Sequence, residues 1–384
     1  MTDSAYLVVG GGMTADAACK GIREVDPDGA IVLVGAESHP PYDRPPLTKA
    51  LWKGAEEETV WRGTADAGVE LRNGRRIVSL DLDGQTATDD QGEPYRYEKL
   101  LLATGGRPRR LPFGDDVVYF RTIDDYTRLR ALADGGARFV VIGGGFIGSE
   151  IAAALAMNER PVTIVFPEPG ICARIFPDQL SAAVTDHYRE RGVEVLAGAS
   201  VTGIERVGDT THVQLEGGRV LEADAVVAGL GIEPNVELAG EAGLPVDNGI
   251  VVDELGRVGG RDDVFAAGDV ARFPAAALGG AKRVEHEDHA NSHGGRVGAN
   301  MAGAAEPYDH LPFFYSDLFD LGYEAVGDLG SRLDTVTELG AVGEQGVVYY
   351  VDGERRPRGV LLWNTFGRVD EARALIVAGE PGTL

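Results

Sequence analysis

Two glycine-rich turns and one histidine-rich stretch are the places where this sequence could do chemistry. The turns are Gly10-x-Gly12-x-x-Ala15 and Gly143-x-Gly145-x-x-Gly148, with Gly11, Met13, Thr14, Gly144, Phe146 and Ile147 between their fixed positions. In such a turn the first small residue permits a tight bend. The second lets the backbone approach a pyrophosphate, and the third lets helix and strand pack closely. The helix that follows presents unpaired N–H groups and the positive end of its dipole to the phosphates. The histidine-rich stretch is Arg283-Val-Glu-His-Glu-Asp-His-Ala-Asn-Ser-His293, which holds three of the seven histidines. On a helix His286, His289 and His293 fall at i, i+3 and i+7 and share a face. Three readings stand open for them: a metal site, a solvated helix, or polar side chains packed on a bound cofactor.

The flanking pattern supplies the elements that must position these residues. Residues 6–37 and 138–168 each run from an apolar β-branched strand through the glycine turn into an Ala-rich helix. Each closes on a second apolar strand followed by an acid, Glu37 in the first copy and Glu168 in the second. Two such copies make two dinucleotide sites the expectation, where a single turn would carry little weight. The runs KLLLATGG (99–106) and DDVFAAGD (262–269) are apolar strands that end at Thr104-Gly105 and at Gly268-Asp269. Both read as strand ends delivering backbone or a carboxylate to one cofactor. Residues 182–230 hold a helix and short strands. From 306 onward the aromatic run PFFYSDLFDLGY precedes alternating strand-like runs and a final helix, a third module of α+β type.

Composition narrows the function classes. A chain of 384 residues has room for two or three domains with sizeable cores. A net charge of −25 argues against nucleic acid, whose phosphates need a basic surface. No apolar run reaches the length of a membrane span. The start, MTDSAYLVVGGG, enters a strand without a basic n-region or an Arg-rich transit segment, so a cytoplasmic enzyme is expected. Cys19 and Cys172 lie far apart and form no CxxC, which leaves neither a redox dithiol nor a zinc knuckle. Arginine clusters at 72–76, 107–110 and 355–358 read as solvated faces or as docking sites for an acidic partner.

The segments PYDRPPLTKALW (41–52), LLATGG (101–106), GGGFIGSE (143–150), FPEPG (166–170), AAGDVA (266–271), RVEHEDHA (283–290) and FYSDLFDLGYEAVG (314–327) follow one another in that order. This set resembles the flavin- and NAD-dependent oxidoreductases of the apoptosis-inducing factor and ferredoxin-reductase group, and more closely their apoptosis-inducing factor branch in a prokaryotic-type form. The resemblance covers essentially the whole chain. It implies an α/β fold of the glutathione-reductase-like kind. An FAD-binding Rossmann-like domain is discontinuous (1–120 and 247–305), an NAD-binding one spans 121–246, and a C-terminal α+β domain spans 306–384.

The resemblance also implies site residues. For FAD, Gly10, Gly11, Gly12, Met13, Thr14 and Ala15 hold the pyrophosphate. Glu37 accepts hydrogen bonds from the adenosine ribose, and Arg44 reaches the phosphates. Ile77, Thr104, Gly105 and Arg121 support the same cofactor, and Asp269 binds a ribityl hydroxyl. A helix starting at His286 and Glu287 points at the pyrimidine end of the flavin, with Glu285 beside it. Tyr315 stands where relatives carry a tryptophan wall. Lys49 and Glu150 form an ion pair beside the flavin N5, and Phe146 gates the nicotinamide. For NAD(H), Gly143, Gly144, Gly145, Ile147 and Gly148 cradle the pyrophosphate. Glu168 favours NADH, although it lies two residues beyond the usual acidic slot, which Phe166 occupies, and Arg174 follows it. Gly231 passes near the nicotinamide, Glu324 meets its carboxamide, and Asn364 is a further candidate. With a flavin to serve, the histidines need no metal and none is expected. His289 and His293 then pack or face solvent.

The expected function is hydride transfer from NADH to FAD, then electron transfer to a ferredoxin or a small acceptor such as a quinone or dioxygen. Without a CxxC the outlet is not an internal disulfide. The alternative is a slow NADH-responsive redox sensor or assembly factor that forms a long-lived FAD–NAD charge-transfer complex. A membrane quinone reductase is disfavoured by the absence of an amphipathic basic anchor. A homodimer stands among the open alternatives, and no integral membrane segment is expected.

Overall fold

The computed structural model describes residues 2–114 and 116–382 and places the two strands of each strand–glycine–helix repeat side by side and parallel in a sheet. The chain divides into two compact units. One comprises Met1–Asp43, Glu58–Arg107 and Glu233–Pro312, the other Arg44–Glu57, Pro108–Ile232 and Phe313–Leu384. This division differs from the three expected segments. Arg44–Glu57 sorts with the second repeat because Asn158 donates to the Trp52 carbonyl at 3.2 Å and the Trp52 ring meets Tyr126 edge-on at 5.6 Å. The C-terminal sheet sorts with it as well, its first strand packed on the helix of the second repeat.

In the first unit the strand order is Val69–Asn73, Ile31–Gly35, Thr2–Val9, Pro94–Leu102, Thr86–Asp89, Ile77–Asp81, with Val264–Ala266 also paired to Pro94–Leu102. The chain leaves Thr2–Val9 for one neighbour and returns on the other side. That creates the switch point where nucleotides bind at the carboxyl ends of parallel strands. Leu7, Val32, Leu100 and Val264 are buried on one face of this sheet, and Val8, Leu33, Leu101 and Phe265 on the other. Each fully buried Val or Leu contributes about 1.5–3 kcal/mol.

On the second of these faces the helices Met13–Val25 and Glu287–Met301 pack backbone to backbone. A Cβ on Gly21 would lie 2.1 Å from the Gly295 carbonyl oxygen, and one on Gly298 would lie 2.1 Å from that of Ala18. The glycines of HGGRVGAN are thus the condition for the later helix to lie so close to the phosphate helix.

In the second unit Glu194–Ala197, Val162–Phe166, Phe139–Ile142, Ala225–Ala228 and Val117–Tyr119 form a parallel sheet in that order, again with a switch point beside the glycine turn. The helix Ile123–Asp134 opens with a capping box between Thr122 and Asp125. The C-terminal sheet is antiparallel, ordered Phe313–Leu318, Leu321–Gly327, Pro357–Trp363, Gly346–Val351, Asp334–Glu338, and the helix Val369–Ala378 follows it. The aromatic run precedes the strands Gly346–Val351 and Pro357–Trp363, and it is itself folded as the first two strands of this sheet. Its alternation turns Ser316, Leu318 and Tyr323 inward and Tyr315 outward. Among the described residues no helix is long and apolar enough to cross a membrane.

Candidate functional site

Each unit carries one phosphate turn built on the same steric plan. Gly10 has φ +134°, and a Cβ there would lie 2.1 Å from the Ala103 carbonyl oxygen. Gly143 has φ +111°, and a Cβ there would lie 2.4 Å from that of Gly229. Gly12 and Gly145 are the N-caps of the helices Met13–Val25 and Phe146–Met157, and neither helix start has a side-chain cap. Nothing lies within 4 Å of where a Cβ on either glycine would stand, so both helix starts open onto space an anion can enter. Ala15 is fully buried, so the first turn accommodates its extra methyl. Gly148 has no such latitude, since a Cβ there would lie 1.9 Å from the Gly143 carbonyl oxygen. Gly148→Ala is therefore expected to abolish saturable NADH binding by titration while the bound-flavin spectrum persists.

At the rim of the first unit, Tyr42 donates to Glu37 at 2.5 Å, which aims the carboxylate. Ile77 is buried in the core, so only its backbone can meet a ligand. Thr104 donates to the Asn235 carbonyl at 2.8 Å, and Asn235 returns a bond to the Thr104 carbonyl at 2.8 Å, which locks the strand end before Gly105. The Gly268–Asp269 turn is held from two sides. Arg283 donates to the Asp269 carbonyl at 3.1 Å, and the Gly268 N–H donates to His293 Nδ1 at 3.2 Å. Glu285 pairs with Arg283 at 2.7 Å.

The histidine stretch resolves into two parts. His286 is the N-cap of the helix Glu287–Met301 and not a member of its face. His289 and His293 are not solvated: they are buried, His289 stacked on Phe273 at 4.7 Å and His293 against Tyr308 at 4.5 Å. Among the described residues no group of three or more His, Cys, Asp or Glu side chains converges as a metal site.

Burial pushes His286 down to about 4, His293 down to about 3, and His289 well below 6.5. The unfolded chain takes up these protons near pH 6.5, whereas the folded chain does so only at its lowered values. The contribution to stability is therefore complete above pH 6.5 and is lost as pH falls from there toward about 3. Urea unfolding of His293→Gln at stepped pH should give a slope shallower than wild type by about 1.4 kcal/mol per pH unit. An unchanged slope would mean that His293 is not neutral in the fold.

The second unit holds a buried ion pair. Lys49 Nζ lies 2.7 Å from Glu150 Oε1, with the side chains 12% and 5% exposed. Glu150 also accepts from Ser316 at 2.5 Å and from Thr48 at 2.6 Å. Four partners in one buried cluster satisfy what an isolated pair could not, because burying two charges is costly unless further hydrogen bonds complete them. Glu150 is thus not an exposed carboxylate favoured by the helix dipole. Lys49 Nζ stands 5.3 Å over the ring of Tyr315, which is 37% exposed. The half-buried Phe146 rests edge-on against Phe314 at 5.2 Å, and Ile147 beside it is exposed.

The remaining expected residues of this unit fall as follows. Arg44 donates to the Arg121 carbonyl at 2.8 Å. Glu168 pairs with Arg174 at 2.5 Å, and that arginine is 82% exposed. Gly231 has φ +78°. Glu324 accepts the Gly367 N–H at 3.0 Å, and Asn364 pins the same loop through Gly322, Val342 and Glu344. The motifs did not single out Thr48, Ser316 or Phe314 for a role, although each adjoins a residue they did. Cys19 and Cys172 are buried thiols, the second pushed up to about 12 by burial. Arg107 pairs with Glu233 at 2.7 Å and Glu237 at 2.6 Å on the surface.

Two sheets, the first mixed and the second all parallel, each with an open-capped phosphate turn at the switch point of its parallel strands, define a protein of the dinucleotide-binding class. Comparison with known proteins gives the particular family. The model described as pyridine nucleotide-disulphide oxidoreductase matches residues 4–294, and the chain belongs to that family. A second model, for the C-terminal region of mitochondrion-associated apoptosis-inducing factor, matches residues 297–345. The chain is 33% identical to apoptosis-inducing factor 1, mitochondrial, of Dictyostelium discoideum, over 97% of this chain and 78% of that protein. It is 36% identical to the ferredoxin–NAD(+) reductase component of the anthranilate 1,2-dioxygenase system of Burkholderia cepacia, over 99% of this chain and 95% of that protein. Among solved structures, the covalent putidaredoxin reductase–putidaredoxin complex matches with a TM-score of 0.90 at 31% identity, over 99% of this chain and 94% of that one. The chain is an oxidoreductase with FAD and NAD(H) as its cofactors.

Proposed function

We propose that the chain accepts hydride from NADH and passes the electrons, through FAD, to a ferredoxin-type carrier. The observation that carries this reading is the buried Lys49–Glu150 pair with its two hydroxyl donors, 2.6 Å and 2.5 Å from the carboxylate. Held in place, Lys49 presents positive charge where negative charge develops during reduction. FAD, when bound, supplies a two-electron acceptor able to release its electrons singly. The Gly12 helix start binds the pyrophosphate of FAD and the Gly145 helix start that of NADH. By the family resemblance Phe146 would serve as the gate for the nicotinamide. Glu168 orients the adenosine ribose of NADH, and Arg174, tied to Glu168, is not presented to a 2′-phosphate. Segments 1–120 with 247–305, 121–246 and 306–384 then serve as the FAD, NAD and C-terminal modules.

Support for the carrier comes from two relatives, a ferredoxin–NAD(+) reductase and the putidaredoxin reductase of a complex with putidaredoxin. A cytoplasmic location follows the bacterial relatives, whereas the Dictyostelium relative is mitochondrial. The match over residues 297–345 favours a second reading, a slow NADH-responsive sensor.

Stopped-flow spectroscopy of the flavin-loaded protein separates the two. Fast bleaching by NADH, followed by fast recovery with a [2Fe–2S] ferredoxin, supports the reductase. Slow bleaching with an air-stable long-wavelength band would overturn it in favour of the sensor.

A further inference from the structure

Glu37 is the polar residue that the motifs place at the adenosine end of the first glycine turn, and the fold puts a second one beside it. Asn73 ends the strand Val69–Asn73, which pairs in parallel with Ile31–Gly35 in the register Ile31 to Val69, Leu33 to Leu71 and Gly35 to Asn73. Ile31, Leu33 and Val69 are buried with Ala15 and Ala18 of the phosphate helix. By strand alternation Asn73 faces that same helix, as Gly35 does. Gly35 has no side chain to cover the Asn73 amide. A Cβ on Gly35 would lie 3.1 Å from Gly11 Cα and 3.9 Å from Asn73 Oδ1, so the amide reaches toward the phosphate turn across a glycine.

That amide oxygen is buried and has no hydrogen-bond partner among the described residues. Nearby backbone donors are committed elsewhere: the Gly74 N–H to the Glu37 carbonyl at 2.8 Å, and the Arg75 N–H to the Gly35 carbonyl at 2.9 Å. Buried polar atoms are almost always paired, so an orphan at the carboxyl end of a parallel sheet marks a place where a ligand supplies the partner.

We infer that Asn73 is an adenosine-binding residue, its buried amide end hydrogen-bonded to the adenine edge or ribose of FAD. This rests on the reading that the first turn holds FAD. Adenosine matches the amide in either orientation. Its amine and hydroxyls donate to the oxygen, and its ring nitrogens and hydroxyls accept from the NH2.

The test uses the full-length chain after FAD has been removed, with wild type, Asn73→Leu and Asn73→Ala compared. FAD and ADP should each bind about tenfold more weakly to both variants, the loss expected for one hydrogen bond. Riboflavin, which lacks the adenosine, should bind all three proteins alike. The FAD-free Asn73→Leu protein should melt at or above the wild-type temperature, because the substitution removes an unsatisfied buried group. Unchanged FAD and ADP affinity would overturn the inference. So would a lower melting temperature with riboflavin weakened equally, since that marks a purely structural role. Wild-type protein that binds no FAD would instead overturn the reading on which the inference stands.

Discussion

Replacing Glu150 by leucine is expected to slow reduction by NADH about 10²- to 10³-fold, the loss seen when one preorganised electrostatic group is removed. It should also cost about 3–5 kcal/mol of stability, because an ammonium that is 12% exposed would lose its counter-charge. Thr48 and Ser316 would lose their acceptor in the same change. Lys49→Met makes the comparison informative. The carboxylate left behind keeps both hydroxyl donors, so this variant should slow reduction comparably yet remain the more stable of the two. Single-turnover stopped-flow kinetics and urea unfolding measure the two quantities separately. If Glu150→Leu is reduced at the wild-type rate, the pair is structural and the proposed function loses its support.

The second large effect concerns the choice between the two nicotinamide cofactors. Glu168→Ser removes the carboxylate proposed to meet a ribose hydroxyl in NADH and to repel a 2′-phosphate. It also releases Arg174, which is 82% exposed and paired with Glu168 at 2.5 Å. A charge-assisted hydrogen bond is worth about 1.5–3 kcal/mol. Losing one with NADH and gaining one with NADPH should move the ratio of kcat/KM toward NADPH by about 10²- to 10⁴-fold. Glu168→Ser combined with Arg174→Ala should keep the loss with NADH and forfeit the gain with NADPH. A ratio unmoved by Glu168→Ser would place the specificity elsewhere.

The parts of the site that were legible beforehand are those whose physics acts over a short stretch of chain. A glycine forced to positive φ by a neighbouring carbonyl, a helix start without a cap, and an apolar strand leading into each turn all leave marks within about thirty residues. Both phosphate turns, their strands and their helices could therefore be read directly. The Lys49–Glu150 pair was implied only through the family resemblance. Its supports were not foreseen, because Thr48 is 102 residues and Ser316 is 166 residues from Glu150 in the chain. Nothing local marks a serine that must donate to a distant carboxylate. That the aromatic run 312–323 is itself strand was not read beforehand, since aromatic residues alternate across a strand only where one face has a core to fill.

The histidine stretch shows where the boundary lies. Its spacing was compatible with a metal site, with a solvated face, or with service to a cofactor, and side-chain spacing cannot distinguish these. Burial against Phe273 and Tyr308 removed the solvated face for His289 and His293. Asn73 was invisible for the same reason: an asparagine at a strand end reads as a turn residue until its amide oxygen is found buried and unpaired. By itself the sequence determined the two nucleotide folds, since backbone sterics and helix dipoles are local properties. The tertiary structure alone decided which polar side chains are buried, and with what partners. Desolvation depends on everything that packs around a group, and that set is assembled only when distant segments meet.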